Sequence, residues 1–186
     1  DLVVAVYKEP VDWILSLPVR RVYIYLKDST RLEDVKRRIP SAIVTCLPNI
    51  GREAHSYIHH ITTHYSTLGA HTLFLQGNPF DHCTKNDIDQ LLENPAEAFV
   101  ALGVQHVSDG NGYPEHPNLP VSQVFQTYFG EPPQTFVFRA GAQFMVSRER
   151  IHRYPIDMYT RLSSADATTP QLPWCMERFW PYIFNL

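Results

Sequence analysis

Residues 70–82 read Ala-His-Thr-Leu-Phe-Leu-Gln-Gly-Asn-Pro-Phe-Asp-His, and this stretch decides the fold class. A short apolar run, residues 72–75, ends at Gln76, and after a Gly-Asn-Pro turn come Asp81 and His82. A short apolar run that stops at turn residues is typical of a strand buried on both faces. In open α/β sheets, ligands bind just beyond the carboxyl ends of such strands. The stretch therefore predicts a buried parallel strand with a site at its end.

The preceding residues supply the partners of this strand. Residues 2–7 and 22–26 are apolar and rich in β-branched or aromatic residues, as in two further strands. Residues 50–65 read as a helix with Asn49 as the N-cap, because apolar residues recur there at helical spacing. The order strand, helix, strand indicates a βαβ crossover and a parallel pair. We predict one α/β domain over residues 1–186, with a mostly parallel sheet flanked by helices.

The remaining segments give weaker patterns. We predict strands at residues 104–107 and 135–138 and helices at 87–92, 148–151 and 174–184, with Pro155 interrupting the second of these helices. Residues 32–38 read as a loop or a single helical turn. Residues 108–133, rich in Gly, Pro, Asn and aromatic residues, read as a long ordered loop, and such loops are often functional.

Composition limits the class of protein. Of 186 residues, 44% are hydrophobic and 19% charged, which is typical of a folded domain. The formal net charge of −3 argues against a broad basic surface for nucleic acid. Three widely spaced cysteines without a CxxC pair favour reduced thiols and a cytoplasmic protein. No apolar run approaches the roughly 18 residues that span a bilayer, so we expect no membrane partner.

Arg52 and Glu53 are candidates because they lie in the first turn of the predicted helix. Helix N-termini crowd the ligand edge of a parallel sheet, and their free N–H groups attract anions. Arg52 is suited to hold a phosphate or carboxylate of the substrate. Glu53 is either a general base or a residue that favours the helix dipole.

The turn after the central strand carries the second group of candidates. Asp81 and His82 could together transfer a proton, or could form an Asx-type turn beside a surface histidine. Gln76 and Asn78 add amide groups that could bind a substrate at the same edge.

The third group comes late in the chain. Arg139 and Gln143 are spaced to share one face of a strand, and Arg148 follows them. Glu177 lies in the aromatic C-terminal helix, where burial would raise its pKa and where Arg178 or Arg148 could pair with it. We predict that Arg139, Gln143, Arg148 and Glu177 contact the substrate.

Two patterns invite a metal but favour other roles. His55 and His59 are four residues apart, yet the zincin sequence His-Glu-x-x-His is missing. Asp87-Ile88-Asp89 matches an Asp-x-Asp pair, yet it opens a helix, where a cap is the better interpretation. We predict neither a metal site nor a cofactor.

Several stretches together resemble a known family. They are Leu-Pro-Asn-Ile-Gly-Arg-Glu-Ala-His-Ser-Tyr at residues 47–57, Phe-Leu-Gln-Gly-Asn-Pro-Phe-Asp-His at 74–82, Gly-Ala-Gln-Phe-Met-Val-Ser-Arg-Glu-Arg-Ile at 141–151 and Glu-Arg-Phe-Trp-Pro-Tyr-Ile-Phe at 177–184. They resemble a family of proteins of unknown function found in fungi and bacteria, and the match spans nearly the whole chain. That family looks distantly like the glycosyltransferase A fold.

This resemblance has one clear departure. In the glycosyltransferase A fold the central strand ends in a metal-binding Asp-x-Asp, and the matching residues here are Gln76-Gly77-Asn78. Amide oxygens and a glycine are a poor clamp for a metal diphosphate. Either Asp81 substitutes, or the scaffold performs chemistry without a metal.

The chain is also similar to the fungal arginine-containing cyclodipeptide synthases, although no single motif carries this likeness. The likeness implies a transferase of secondary metabolism that joins two aminoacyl groups, with arginyl-tRNA and a second aminoacyl-tRNA as substrates and no obligate protein partner. A nucleotide-sugar glycosyltransferase without a standard Asp-x-Asp motif is the first alternative. A non-enzymatic binding module that uses the aromatic residues 113–129 is the second.

A cyclodipeptide synthase needs three kinds of group. A carboxylate must bind the arginine guanidinium, and the candidates are Asp81, Glu53 and Glu177. A base must accept a proton from the attacking amine, and the candidates are His82 and Glu53. Cations must contact the tRNA end, and the candidates are Arg52, Arg139 and Arg148.

Overall fold

A six-stranded sheet lies at the centre of the computed structural model, which describes residues 1–95, 98–114, 116–165 and 169–185. The strands of the described residues are β1 (Leu2–Val6), β2 (Val22–Leu26), β3 (Ile43–Cys46), β4 (His71–Gln76), β5 (Phe99–Ala101), β6 (Gln105–Ser108), β7 (Gly112–Tyr113), β8 (His116–Pro117), β9 (Phe136–Arg139) and β10 (Phe144–Ser147). The helices are α1 (Leu32–Arg38), α2 (Arg52–His64), α3 (Lys85–Glu93), α4 (Val121–Phe129), α5 (Arg148–Ile151), α6 (Ile156–Ala165) and α7 (Leu172–Phe184). Short 3-10 helices cover Asp12–Ser16, Ser29–Arg31 and Pro79–Asp81.

The sheet has the strand order β3-β2-β1-β4-β10-β5. The first four strands in this order are parallel, and β10 runs antiparallel to both β4 and β5. The carboxyl ends of β1, β2 and β4 therefore meet at one edge. The predicted fold class, an α/β fold with a mostly parallel sheet flanked by helices, is confirmed.

Each face of the sheet has its own apolar core. On one face, Val3, Phe74 and Phe144 pack against α2, α4, α6 and α7. On the other face, Val4 and Leu75 pack with the buried residues of α1 and α3. Neighbouring strand residues thus serve opposite cores, as the alternation of side chains in a strand requires.

Helix α2 begins later and more sharply than the sequence suggested. The N-cap is Gly51, in the left-handed conformation with φ of 62°, and not Asn49. Arg52 also has a positive φ, 49°. The apolar residues Ala54, Tyr57, Ile58 and Ile61 are buried as expected. Ile50 lies before the helix and is exposed. This tight turn brings the first helical residues to the edge of the sheet.

Two segments contain more helix than the sequence predicted. Residues 32–38 form the two-turn helix α1. The predicted loop 108–133 contains α4, because Val121, Val124 and Phe125 form an apolar stripe that packs beneath α7. Some aromatic residues of the proposed binding module therefore belong to the core, and the prediction of a loop is wrong for residues 121–129.

The short strands β3 and β5 were missed. Each has four residues or fewer and lies at an edge of the six-stranded sheet, where half-exposed residues weaken the apolar pattern. The strand that precedes α2 is therefore β3 and not β2. The parallel partner of β4 is β1. Within the described ranges, no helix combines the length and the hydropathy that crossing a bilayer requires.

Candidate active site

A cavity of about 380 Å³ opens at the carboxyl ends of β1, β2 and β4, beside the first turn of α2. We call it the carboxylate cavity. Its polar lining residues are Tyr7, Glu9, Lys27, Asn49, Arg52, Glu53, Gln76, Asn78 and Asp81. Three of these residues carry carboxylates and two carry cations. The position is the one predicted from the polar residues that follow β4.

Glu53 is the most shielded carboxylate of this cavity, with 11% of its side chain exposed. Burial raises the pKa of Glu53, the charge of Arg52 opposes part of that rise, and Glu177 adds to it. The guanidinium of Arg52 lies 3.6 Å from the carboxylate of Glu53 and also over the ring of Trp174. A carboxylate whose pKa is raised is a stronger base than an ordinary carboxylate, which suits it to accept a proton.

Lys27 fixes the turn that leads into α2. Its ammonium donates to the carbonyls of Pro48 (3.1 Å) and Ile50 (2.8 Å) and lies 2.8 Å from Nδ1 of His55. These three contacts match the three donors of an ammonium group. Lys27 therefore holds the turn in place more than it offers donors to a ligand.

The turn after β4 is fixed from two sides. Trp13 Nε1 donates to the carbonyl of Gly77 over 3.0 Å, and a Cβ on Gly77 would lie 2.6 Å from a carboxylate oxygen of Glu9. Within the turn, Asn78 Nδ2 donates to Oδ1 of Asp81 over 2.8 Å. Asp81 is exposed and lines the cavity.

Five of the predicted residues line the carboxylate cavity. They are Arg52, Glu53, Gln76, Asn78 and Asp81. The convergence expected from their positions after β4 and at the start of α2 is therefore present in the structure. Their roles in binding and catalysis stay predictions.

Two predicted residues lie at a neighbouring cavity instead. His82 and Arg139 line a second cavity of about 510 Å³ together with Phe80, Thr84, Asp87 and Gly103, which we call the Arg139 cavity. The ring of His82 packs against Gly141, where a Cβ would lie 2.5 Å from Cδ2 of the imidazole. Arg139, which was predicted to contact the substrate, therefore does not line the carboxylate cavity, because β9 belongs to a separate ribbon with β6.

Gln143 and Glu177 lie behind the site. Gln143 is buried and its Nε2 donates to the carbonyl of Pro79 over 3.0 Å, which anchors the turn after β4. Glu177 Oε1 accepts from the backbone N–H of Gly141 over 2.7 Å, and Arg178 lies 3.3 Å from its other oxygen. Neither side chain lines the carboxylate cavity, so the structure does not place either of them in contact with a ligand there.

Arg148 was predicted to contact the substrate, but it does not line the carboxylate cavity. It follows β10, which runs antiparallel to β4, and Ser147 pairs with His71 at the start of β4. Arg148 therefore lies at the amino edge of the parallel strands, where its guanidinium donates to the carbonyl of Leu68. A contact between Arg148 and a ligand in the carboxylate cavity is excluded by this placement.

Sequence reasoning missed Glu9 and Lys27. Lys27 comes directly after β2, and Glu9 comes three residues after the end of β1; both apolar runs were correctly predicted as strands. The rule that ligands bind beyond the carboxyl ends of parallel strands applies to both positions. Applied to β1 and β2, it would have found both residues.

The histidines of α2 pack inward against β2. His60 is fully buried and Tyr25 Oη lies 2.9 Å from its Nδ1, while His59 contacts the ring of Tyr25 edge-on. Burial lowers the pKa of His60 to about 3. Within the described part of the chain, no group of three or more His, Cys, Asp or Glu residues is arranged to hold a metal ion. Asp87 instead forms a capping box with Thr84 at the start of α3, as the favoured interpretation had it.

A family model described as "Protein of unknown function (DUF3431)" matches residues 2–117 and 106–186. The chain belongs to this family. The predicted membership in a family of unknown function is thereby confirmed, and the likeness to cyclodipeptide synthases stays a prediction. No curated protein matches the chain in sequence.

Two solved structures are similar to this one. One is HddC from Yersinia pseudotuberculosis, with a TM-score of 0.42 and 10% identity over 83% of this chain and 79% of that one. The other is CMP:2-keto-3-deoxy-manno-octonic acid synthetase complexed with CTP, with a TM-score of 0.42 and 12% identity over 95% and 86%. At this level of similarity they say nothing about the reaction.

Proposed function

We propose that the protein is a transferase that makes an arginine-containing cyclodipeptide from aminoacyl-tRNA. The observation that carries the proposal is the charge of the carboxylate cavity. Glu9, Glu53 and Asp81 supply three carboxylates against the two cations Lys27 and Arg52. The donors of Lys27 are taken by protein groups, and Arg52 lies 3.6 Å from the carboxylate of Glu53. Such a cavity suits a cationic ligand better than a diphosphate.

The guanidinium of arginine matches this lining. Asp81 is exposed at the cavity, and Asn78 holds one of its carboxylate oxygens through a hydrogen bond. A carboxylate fixed in this way can accept N–H groups from a planar guanidinium. Arginine would therefore enter with its side chain at the rim and its ester toward Glu53.

Glu53 has the properties that the bond-forming step requires. The α-amine of one aminoacyl group attacks the ester carbonyl of the other, a C–N bond forms, and the C–O bond to the tRNA 3′ end breaks. In our proposal Glu53 accepts the proton from the amine and passes it to the departing ribose oxygen. A second attack within the dipeptidyl ester closes the ring and releases the second tRNA. The raised pKa of Glu53 suits both transfers.

Gln76 supports the same step. Its side chain lines the cavity at the end of β4. Among the described residues, none makes a hydrogen bond to the side-chain amide of Gln76. An amide N–H group there could stabilise the negative charge that develops on the ester oxygen. Removing a donor of this kind commonly costs about 10²- to 10³-fold in rate.

An in vitro reaction tests the proposal. The purified protein, arginyl-tRNA and a mixture of other aminoacyl-tRNAs should yield a cyclodipeptide that mass spectrometry detects. Ribonuclease added at the start should abolish the product. A product that survives ribonuclease would refute the dependence on tRNA.

A nucleotide-sugar glycosyltransferase is the second candidate. It is favoured by the position of Arg52 at the start of α2, where phosphate groups bind in many α/β proteins. This function predicts that UDP- or GDP-sugars with Mn²⁺ raise the melting temperature of the protein. The absence of any shift would count against it.

A further inference from the structure

The two cavities beside the turn of residues 79–82 differ in charge. Asp81 lines the carboxylate cavity, whereas Phe80 and His82 line the Arg139 cavity. The latter holds one arginine, one histidine and one carboxylate, Asp87, whose Oδ2 accepts two hydrogen bonds from Thr84. The Arg139 cavity is therefore the better place for an anionic group.

We propose that the Arg139 cavity binds the 3′-terminal nucleotide of the RNA, with the base on Phe80 and the phosphate on Arg139. This inference rests on the proposed function and names the part of the substrate that the carboxylate cavity does not hold. An ester in the carboxylate cavity is one ribose away from the base, and the two cavities are separated by one turn of chain. The geometry thus divides the substrate between two adjoining sites.

Arg139 is placed to bind a phosphate. Within the described residues it makes one hydrogen bond, to the carbonyl of Gly103, and no ion pair. The residue is exposed. Gly103 has φ of +100°, and a Cβ there would lie 2.5 Å from the carbonyl of Ala140, so this backbone is closely packed. The carbonyl that orients Arg139 is thereby fixed, which favours directed contacts to phosphate oxygens.

Phe80 provides a surface for a base. It is 44% exposed, although it is a large apolar side chain. The ring of Trp13 contacts it edge-on at 5.8 Å, and Trp13 is itself held by hydrogen bonds to Gly77 and Pro10. Exposed aromatic rings stack with bases of any sequence. A site that stacks the base and grips the phosphate serves every tRNA, because all of them end in the same nucleotide.

His82 completes the site. Its ring packs on Gly141, and no described residue makes a hydrogen bond to either ring nitrogen. An imidazole placed in this way can bond to a phosphate oxygen or to a ribose hydroxyl, the group that distinguishes RNA from DNA.

Binding of cytidylyl-(3′→5′)-adenosine, measured by calorimetry, tests the inference. The wild-type protein should bind this dinucleotide, and Phe80→Ala and Arg139→Glu should each weaken binding about tenfold or more. Arg161→Glu is the matched control, because Arg161 lies over the ring of Tyr128 on another part of the surface. Equal binding by Arg139→Glu and Arg161→Glu, or no binding by the wild type, would overturn the inference.

Two further measurements are needed. One distinguishes a site for RNA from a site for free nucleotides, and the other distinguishes failure of this inference from failure of the proposed function. AMP that binds as tightly as the dinucleotide, without competition from tRNA, would indicate a site for free nucleotides and overturn the inference. If Arg139-dependent dinucleotide binding is found but no cyclodipeptide forms, the proposed function fails and this site stands. If cyclodipeptide forms and Arg139→Glu leaves the KM for arginyl-tRNA unchanged, the site fails and the function stands.

Discussion

The ammonium of Lys27 lies 2.8 Å from Nδ1 of His55, and this contact joins the end of β2 to the first turns of α2. His55 must be neutral to accept from an ammonium group. Burial and the charge of Lys27 lower the pKa of His55 to about 4. The turn that presents Arg52 and Glu53 therefore depends on a neutral histidine and a charged lysine.

Lys27→Met tests this arrangement. The substitution leaves His55 and the carbonyls of Pro48 and Ile50 without their donor, so we expect the free energy of unfolding to fall by about 1–3 kcal/mol. Lys36→Met on α1 is the control, because the ammonium of Lys36 has only a surface ion pair with Glu33 at 4.0 Å. Urea unfolding of both variants measures the difference, and equal losses would contradict the role of Lys27.

The stability of the protein should fall in mild acid because of His55 and His60. Their pKa values are lowered in the folded state to about 4 and about 3, below the usual value of about 6.5 in an unfolded chain. Their contribution is complete above pH 6.5 and is lost as the pH falls toward those values. Urea midpoints between pH 7.5 and pH 5 should decrease, and His60→Gln should decrease less steeply. An identical pH slope in the variant would contradict this assignment.

Glu53→Gln should separate activity from stability. Burial raises the pKa of Glu53 in the folded state. The buried carboxyl group is therefore most compatible with the fold when it is protonated, and the free energy of unfolding falls as the pH rises through that pKa. The amide removes this loss, and the melting temperature at pH 8 should be equal to or above that of the wild type. The rate should fall by about 10²- to 10⁴-fold. Glu33→Gln, whose side chain is exposed on α1, should change neither quantity.

Retained activity in Glu53→Gln would remove Glu53 from the mechanism. A lower melting temperature with lost activity would indicate a structural role in its place. Both quantities come from the same preparation, by calorimetry and by the product assay.

Gly141→Ala should destabilise the protein more than Gly130→Ala does. Both glycines have a positive φ, +95° and +92°, so both substitutions carry backbone strain of about 1–3 kcal/mol. A Cβ at position 141 would also meet the ring of His82, whereas nothing lies within 4 Å at position 130. Thermal unfolding of the two variants isolates the His82 contact, and equal melting temperatures would show that this contact is easily relieved.

The local sequence pattern was enough to predict the fold class and five of the residues that line the carboxylate cavity. The strands β1, β2 and β4 are continuous apolar runs, so their parallel arrangement and the polar residues after Gln76 followed directly. Helix α4 was missed because Gly and Pro around it suggested a loop, although its apolar residues have helical spacing. The placement of Arg139 could not be predicted, since it depends on the pairing of β9 with β6 across about 30 residues of chain.

The direction of β10 explains why the position of Arg148 was not predicted from the sequence. A strand read from sequence has no direction relative to its partners, and β10 is antiparallel to β4. The residue that follows β10 therefore lies at the opposite edge from the residues that follow β4. Glu177 shows the converse case, because its contact with Gly141 links α7 to the site without bringing the side chain into the cavity.

The central claim is that the carboxylate cavity, with Glu53 as its proton carrier, makes an arginine-containing cyclodipeptide. Untargeted mass spectrometry of a bacterial host that produces the wild-type protein, beside a host that produces Glu53→Gln at the same level, tests it most directly. We expect a diketopiperazine with an arginine side chain in the first host and its loss in the second. Its absence from both hosts despite folded protein, or its presence at equal levels in both, would contradict the account.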